Sequence, residues 1–113
     1  MPKTVYAVSD SGHDYSSAET LGQLVFLYNG KINVFASGQL VKDIQEKLIS
    51  SKPDDMLLPS GNALAVCIAF SVLMNKHGQV NHLIYSFRNK MFEVRTIYKS
   101  QIAVEVKNET GSQ

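Results

Sequence analysis

The stretch DMLLPSGNALAVCIAFSVLMNKHGQVNHLIY, residues 55–85, decides the fold of this chain. Its apolar run at 56–58 predicts a short buried strand, and the apolar segment from Ala63 to about Lys76 is long enough for a helix. Gly78 favours the end of that helix, and the residues after it predict a second strand. This order of strand, helix and strand is typical of a βαβ crossover, in which the two strands run parallel.

The flanking sequence predicts more strands and one more helix. The predicted strands are 4–9, 23–28, 31–35, 56–58, 80–87 and 91–98, with a further candidate over 101–106. Asn29-Gly30 between two apolar runs predicts a tight hairpin turn, because both residues tolerate positive φ. Ser37 is the expected cap of an amphipathic helix that runs to about Ser50, with Leu40, Ile44 and Leu48 on one face.

These elements predict the mixed α/β class. We expect a single small mixed sheet with a β-hairpin and two helices packed on it, in one domain over residues 1–106, followed by a polar tail over 107–113. The helix over 63–76 is apolar on every side, which predicts burial on more than one face, with Cys67 as a small core residue. We also expect the aromatic side chains of the strands, Phe35, Tyr85, Phe87 and Phe92 among them, to lie mostly in the core.

Composition excludes several classes of protein. The chain has 113 residues, is 44% hydrophobic and carries a net charge of +1, so it is too apolar for a disordered protein and too weakly basic for a nucleic-acid polymer as partner. One cysteine excludes an internal disulfide, and the three scattered histidines match no metal-binding spacing. We therefore expect no metal site and no cofactor.

The chain shows no targeting signal. No hydrophobic signal region follows Met1, and the longest apolar run is far short of the roughly 20 residues needed to span a bilayer. A free thiol without these signals predicts a soluble protein of a reducing cytoplasm, with no membrane partner. The small size of the chain favours a homo-oligomer, since subunit contacts add buried surface.

The first candidate ligand site is Ser60-Gly61-Asn62, at the start of the central helix. Free backbone N–H groups and the helix dipole favour an anion such as phosphate there, and glycine permits close approach to the backbone. The alternative is plain helix capping by Ser60 or Asn62.

The second candidate is the polar loop that contains His13, Asp14, Tyr15, Ser16 and Ser17. In a binding site, its hydroxyl groups and Tyr15 would surround a small molecule. In a catalytic site, His13 would activate Ser16 or Ser17, although no partner is fixed by the sequence. In a purely structural loop, Asp14 and Ser16 would form turns. We assign no catalytic residue and take His13, Asp14, Tyr15 and Ser17 as candidate ligand contacts.

Arg95 is the third candidate. It lies in a predicted strand, where a guanidinium group can clamp a phosphate with two hydrogen bonds. An ion pair with Glu93 or with a partner subunit explains it equally well. If it binds the ligand, Arg95→Ala weakens binding more than Ser60→Ala does, and the pocket lies near a subunit boundary.

Five segments resemble a group of small proteins encoded by bacteriophages and prophages. The segments are 13–19, 24–27, 30–35, 53–62 and 76–81, within a resemblance that spans roughly residues 10 to 98. Within that group the chain is similar to the Thoeris anti-defence sponges, which bind cyclic nucleotide signals of bacterial immunity without cleaving them and assemble as oligomers. None of that family's ligand contacts is transferred to this chain.

The resemblance implies a non-enzymatic protein that sequesters a nucleotide-like signal, either a cyclic nucleotide or an ADP-ribose-type molecule, in the host cytoplasm. The residues themselves leave two alternatives open. One is a small nucleotide hydrolase that uses the His13 and Asp14 loop, and the other is a phage accessory module that binds a protein.

Overall fold

The computed structural model describes residues 2–29 and 31–104 and confirms the mixed α/β class. A single sheet is flanked by helices. The elements in chain order are β1 (Thr4–Ser9), α1 (Ser16–Glu19), β2 (Gln23–Tyr28), α2 (Ser37–Lys47), β3 (Met56–Leu58), α3 (Ala63–His77), β4 (Gln79–Ser86), β5 (Met91–Tyr98) and α4 (Lys99–Ile102).

The sheet has the strand order β2-β1-β3-β4-β5. Strand β1 runs parallel to both of its neighbours, so that Val5 lies opposite Leu24 on one side and Met56 on the other. Strand β3 is parallel to β4, which confirms the βαβ crossover predicted over residues 55–85. Strand β5 is antiparallel to β4, with His82 opposite Arg95, and the two form the hairpin of the sheet.

Each face of the sheet has its own core because successive side chains of a strand point to opposite faces. On one face, Tyr6, Val8 and Leu57 pack against helices α2 and α3. On the other face, Val5 and Ala7 belong to a second cluster with the segment around α1. A three-layer arrangement results, in which the short helix α1 covers much less of the sheet than α2 and α3 do.

The predicted hairpin at Asn29-Gly30 is wrong. Residues 31–35 form no strand, and β2 is an edge strand that pairs in parallel with β1. The polypeptide turns instead at Asn33, whose Oδ1 accepts a hydrogen bond from the Phe35 backbone N–H at 3.0 Å, and then enters α2. A parallel partner for β2 outweighs the local turn preference, and Gly30 itself lies outside the described residues.

Several element ends differ from the expectations. Ser37 is the first residue of α2 rather than its cap, which is Ala36, and α2 ends at Lys47. Gly78 ends α3 as predicted, with a φ of +73°. Gln101 and Ile102 belong to α4 and not to a last strand. The predicted tail over 107–113 lies outside the described residues.

Helix α3 packs against the sheet and against α2, and the rest of its surface is exposed. Ala65, Ala69 and Leu73 lie in the core, whereas Cys67 is exposed. The expectation of burial on more than one face is confirmed, because α3 packs against both the sheet and α2. The expectation that Cys67 lies in the core is wrong, because Cys67 is on the exposed side of α3.

Three of the four aromatic side chains named above are exposed and do not lie in the core. Phe35 is 95% exposed, Phe87 is 86% exposed and Tyr85 is 38% exposed, while Phe92 is half-buried. The strand pattern predicted the strand conformation of Tyr85 and Phe92 correctly, whereas Phe87 lies in the turn after β4 and Phe35 lies in no strand. It did not show that the helices leave Tyr85 and Phe87 exposed.

We expect the stability of the fold to decrease as the pH falls from about 7.5 to 5.5. Burial lowers the pKa of the His82 imidazole, and burial and the Lys76 charge lower that of His77, against the opposing effect of Asp55. The unfolded chain therefore binds protons at a higher pH, near the ordinary histidine pKa of about 6.5, than the folded chain does.

The measurement is the urea midpoint at several pH values for the wild type and for His82→Phe. The aromatic ring of phenylalanine preserves the contact of residue 82 with Phe70, whose ring centre is 6.0 Å from that of His82. The variant should lose stability less steeply with acid. Equal slopes for the two proteins would show that His82 does not contribute.

Candidate functional site

A cavity of about 700 Å³ opens at the carboxyl ends of β1, β3 and β4. Three parts of the chain line it, and we name them the loop wall, the floor and the hairpin wall. The loop wall is Ser11 with residues 13–17, the floor is residues 58–61, and the hairpin wall is Tyr85, Phe87, Lys90 and Phe92.

The topology of the sheet accounts for the position of the cavity. From β1 the chain crosses to β2 on one side, whereas β3 lies on the other side of β1. The segments that follow β1 and β3 therefore lead away from each other, to opposite faces of the sheet. In open α/β sheets ligands bind outside the carboxyl ends of the strands at this kind of switch point.

The floor is a rigid turn fastened to the end of β1. The Ser60 hydroxyl donates to the Ser9 carbonyl at 2.8 Å, and the Ser9 backbone N–H donates to the Ser60 carbonyl at 3.2 Å. Gly61 has a φ of +89°, and a Cβ at this position would lie 1.7 Å from the Ser9 Oγ. Both the backbone conformation and the close approach to Ser9 require glycine here.

Asn62 does not line the cavity. Its Oδ1 accepts a hydrogen bond from the Ala65 backbone N–H at 3.1 Å, so Asn62 is the cap of α3. Of the three residues in the first candidate site, Ser60 and Gly61 therefore line the cavity. Asn62 instead caps the helix, as the alternative interpretation predicted.

The loop wall is held in place by its own side chains. The Tyr15 hydroxyl accepts the Ser11 backbone N–H at 2.9 Å and lies 2.8 Å from the Ser11 Oγ, and the Tyr15 ring meets Phe26 edge to face. The Asp14 Oδ1 accepts the Ser16 backbone N–H at 2.9 Å. The predicted turns are thus present, and the same hydrogen bonds shape a wall of the cavity.

The loop wall carries two titratable side chains, Asp14 and His13. Hydrogen bonds from Ser16 hold the pKa of the Asp14 carboxyl below its usual value, so this group is a poor proton donor near neutral pH. The His13 ring meets the edge of Tyr15 at a centroid distance of 6.4 Å. Within the described residues, no hydrogen bond joins His13 to Ser16 or Ser17, so the pairing of base and nucleophile is absent from this geometry.

The hairpin wall supplies aromatic surface and a cation. The Tyr85 ring lies 5.1 Å from the rings of both Phe87 and Phe92, in edge-to-face contacts. Lys90 has a φ of +53° in the turn between β4 and β5. Sequence reasoning missed these residues as a group. The available signal was the short turn over 87–90, which places them at the carboxyl end of β4, near the predicted Ser60 site.

Arg95 lies away from this cavity, in the middle of β5 and opposite His82. Its Nη2 donates to the Glu93 Oε1 at 3.0 Å, which confirms the expected ion pair. Hydrogen bonds from Asn89 and Arg95 lower the pKa of the Glu93 carboxyl. The structure therefore brings Lys90, and not Arg95, to the cavity.

No group of three or more His, Cys, Asp and Glu side chains within residues 2–29 and 31–104 is placed to hold a metal ion. In the same part of the chain, no helix has the length and apolar character to cross a bilayer.

Comparison with known proteins identifies a family. Neither the curated proteins nor the solved structures give a match to this chain. A family model described as Phage Pam3 gp32-like protein matches residues 3–98, which includes all of the sheet and every wall of the cavity. The match confirms the resemblance to phage-encoded proteins. The chain belongs to the Phage Pam3 gp32-like protein family.

Proposed function

We propose that this chain is a non-enzymatic binding protein that sequesters a small, nucleotide-like molecule in the cavity at the carboxyl ends of β1, β3 and β4. The observation that carries the proposal is the composition of the cavity walls. Exposed aromatic rings and one lysine lie on the hairpin wall, and hydroxyl groups and an imidazole lie on the loop wall.

A nucleotide suits these walls because it combines a planar base with an anionic part. Stacking of a base on an aromatic side chain contributes about 1–3 kcal/mol. Phe87 is the best placed ring for this purpose, since it is 86% exposed and its contact with the Tyr85 ring is edge to face and not stacked. A charged hydrogen bond from the Lys90 ammonium to a phosphate adds about 1.5–3 kcal/mol.

The volume of the cavity also fits this class of ligand. Pockets for small molecules and cofactors range over about 300–1,000 Å³, and this cavity of about 700 Å³ lies within that range. The rigid floor, with Ser60 bonded to Ser9, is in place before any ligand arrives. A pre-formed cavity reduces the ordering cost of binding.

The phage family gives this activity a context. A protein that binds a nucleotide signal and does not cleave it would protect an infecting phage from the immune response that the signal triggers. We propose that the ligand belongs to the cyclic nucleotide or ADP-ribose class, as in the Thoeris anti-defence sponges.

We expect Phe87→Ala and Lys90→Gly each to weaken ligand binding by about 5- to 100-fold. Glycine at position 90 removes the ammonium group but tolerates the positive φ of this residue. A loss of affinity in Lys90→Gly therefore reports the loss of the charge and not a change of the backbone. The measurement is calorimetric titration with ADP-ribose, 3′,5′-cyclic AMP and cyclic di-AMP. Any of the three that binds the wild type is then titrated into the variants.

Phe35→Ala is the matched control, because Phe35 is also an exposed phenylalanine but lies outside the cavity. It should retain wild-type affinity. Wild-type affinity in both Phe87→Ala and Lys90→Gly would show that the ligand binds elsewhere. Absence of binding by the wild type to all three probes would favour the protein-interaction alternative.

A further inference from the structure

The outer edge of β5 has no neighbouring strand among the described residues. The sheet order places β5 at the end, with β4 on its other side, and the strand is eight residues long. An edge strand of this length presents a row of backbone N–H and C=O groups that another strand can pair with. The edge at β5 is therefore a surface to which a further strand can be added.

Exposed apolar side chains are concentrated around this edge. Of the twelve large apolar side chains that are exposed among the described residues, eight lie within residues 84–104. Val94 and Tyr98 are on one face of β5, and Met91 is on the other. A cluster of exposed apolar groups is typical of a surface that another protein covers.

Two opposite charges lie at the centre of the same edge. Glu93 and Arg95 flank Val94 and point to the same face of the sheet, where they form an ion pair of 3.0 Å. The Arg95 Nη1 also donates to the Val94 carbonyl at 3.0 Å. Pairing of Val94 with another strand would replace this hydrogen bond between the guanidinium group and the backbone.

We propose that β5 pairs antiparallel with β5 of a second copy of this chain, with Val94 of one copy opposite Val94 of the other. This register places Glu93 opposite Arg95 of the second copy, and Arg95 opposite its Glu93. Phe92 then lies opposite Thr96, and Met91 opposite Ile97. Cross-strand pairs of opposite charge and of apolar or β-branched side chains stabilise a sheet.

The charges select this register and identify the partner. Successive side chains of β5 point to opposite faces, and the two joined sheets must keep the same face on the same side. The pairing of the two β5 strands can therefore shift only in steps of two residues. A shift in one direction places Glu93 opposite Glu93, and a shift in the other places Arg95 opposite Arg95. Like charges directly opposite each other are destabilising, so only the register centred on Val94 is charge-complementary.

The pairing extends the two sheets into one and brings the second copy to the ligand cavity. Phe92 and Lys90 belong to the hairpin wall. In the proposed register they lie opposite Thr96 and Tyr98 of the second copy. This inference does not depend on the proposed function, since it uses the edge of β5 and no ligand.

The test is the molar mass by light scattering at micromolar concentration for the wild type and four variants. The wild type should have twice the mass of one chain. Arg95→Glu and Glu93→Arg each place like charges opposite each other at two positions, so each should raise the dissociation constant about tenfold or more and shift the mass towards one chain. The double variant with Glu93→Arg and Arg95→Glu restores opposite charges and should again be dimeric.

The single variants also break the Glu93–Arg95 ion pair within one chain, and the double variant restores it. Stability would therefore change even without a dimer, so the molar mass is the readout. Circular dichroism shows whether each variant is folded. Val94→Lys provides a second probe, because it places two lysines opposite each other at the centre of the interface, and it should also be monomeric. A wild-type mass of one chain overturns the proposal. It is also overturned if the Arg95→Glu and Val94→Lys variants are both folded and both keep the mass of a dimer.

Discussion

Gly61→Ala should destabilise the fold by at least about 2 kcal/mol. The φ of +89° is strained for any residue with a Cβ, and the new methyl group would lie 1.7 Å from the Ser9 Oγ and 3.0 Å from the Ser9 Cβ. Relief of this clash requires the turn after β3 to move away from the end of β1. The expected result is a lower urea midpoint by circular dichroism, accompanied by loss of the floor of the cavity.

Gly38→Ala is the matched control for this substitution. Gly38 lies in α2, and a Cβ there meets no atom within 4 Å. Alanine in a helix is favoured over glycine, so Gly38→Ala should raise the stability by up to about 1 kcal/mol. Equal effects of the two substitutions would contradict the role assigned to Gly61 in joining β3 to β1.

Leu57→Ala should destabilise the fold by about 2–5 kcal/mol, more than Gly61→Ala does, because it leaves a cavity in the core. Leu57 is fully buried at the centre of the three-residue strand β3, between β1 and β4. It contributes to the cluster formed with α2 and α3. Since domains of this size are stable by only about 5–15 kcal/mol, the variant should lose a large part of its stability.

Leu64→Ala provides the comparison within one residue type. Leu64 lies on α3 and is 41% exposed, so its truncation removes fewer contacts. We expect a loss of less than about 1 kcal/mol. The two urea midpoints should be measured at the same protein concentration, because association shifts apparent stability. A loss from Leu64→Ala as large as that from Leu57→Ala would indicate that the outer face of α3 is also buried in solution.

The sequence predicted the part of the fold that local patterns determine. The segment over 55–85 combines an apolar strand, a long apolar helix and Gly78 as its end, and these agree with one another, so the βαβ unit was predictable. The segment around Asn29-Gly30 was not, because its turn preference competes with a parallel pairing between β1 and β2 that depends on distant residues.

Burial was harder to predict than secondary structure. The apolar helix α3 and the aromatic residues of the hairpin were expected in the core, but Cys67 and Phe87 are exposed. Apolar character shows that a side chain favours burial and does not show whether the rest of the chain reaches far enough to cover it. In this chain α1 is too short, at four residues, to cover its face of the sheet.

Half of the candidate site followed from simple rules. The polar residues after β1 and β3 meet because the carboxyl ends of parallel strands lie at one edge, which brings the segment of His13 and Tyr15 next to Ser60. The other half comes from the hairpin, where Lys90 lines the cavity in place of Arg95. The strand pattern placed Arg95 on a sheet face without indicating its distance from the end of the strand.

The most direct test of sequestration is the fate of a bound ligand. The wild-type protein is incubated with ADP-ribose, 3′,5′-cyclic AMP or cyclic di-AMP, separated from free ligand by gel filtration, and heated to release what it holds. Mass spectrometry of the released fraction should show one of these molecules with its mass unchanged, and Phe87→Ala should retain less of it. Recovery of a cleavage product, or of no ligand from any of the three incubations, would contradict a protein that binds and keeps a nucleotide-like molecule intact.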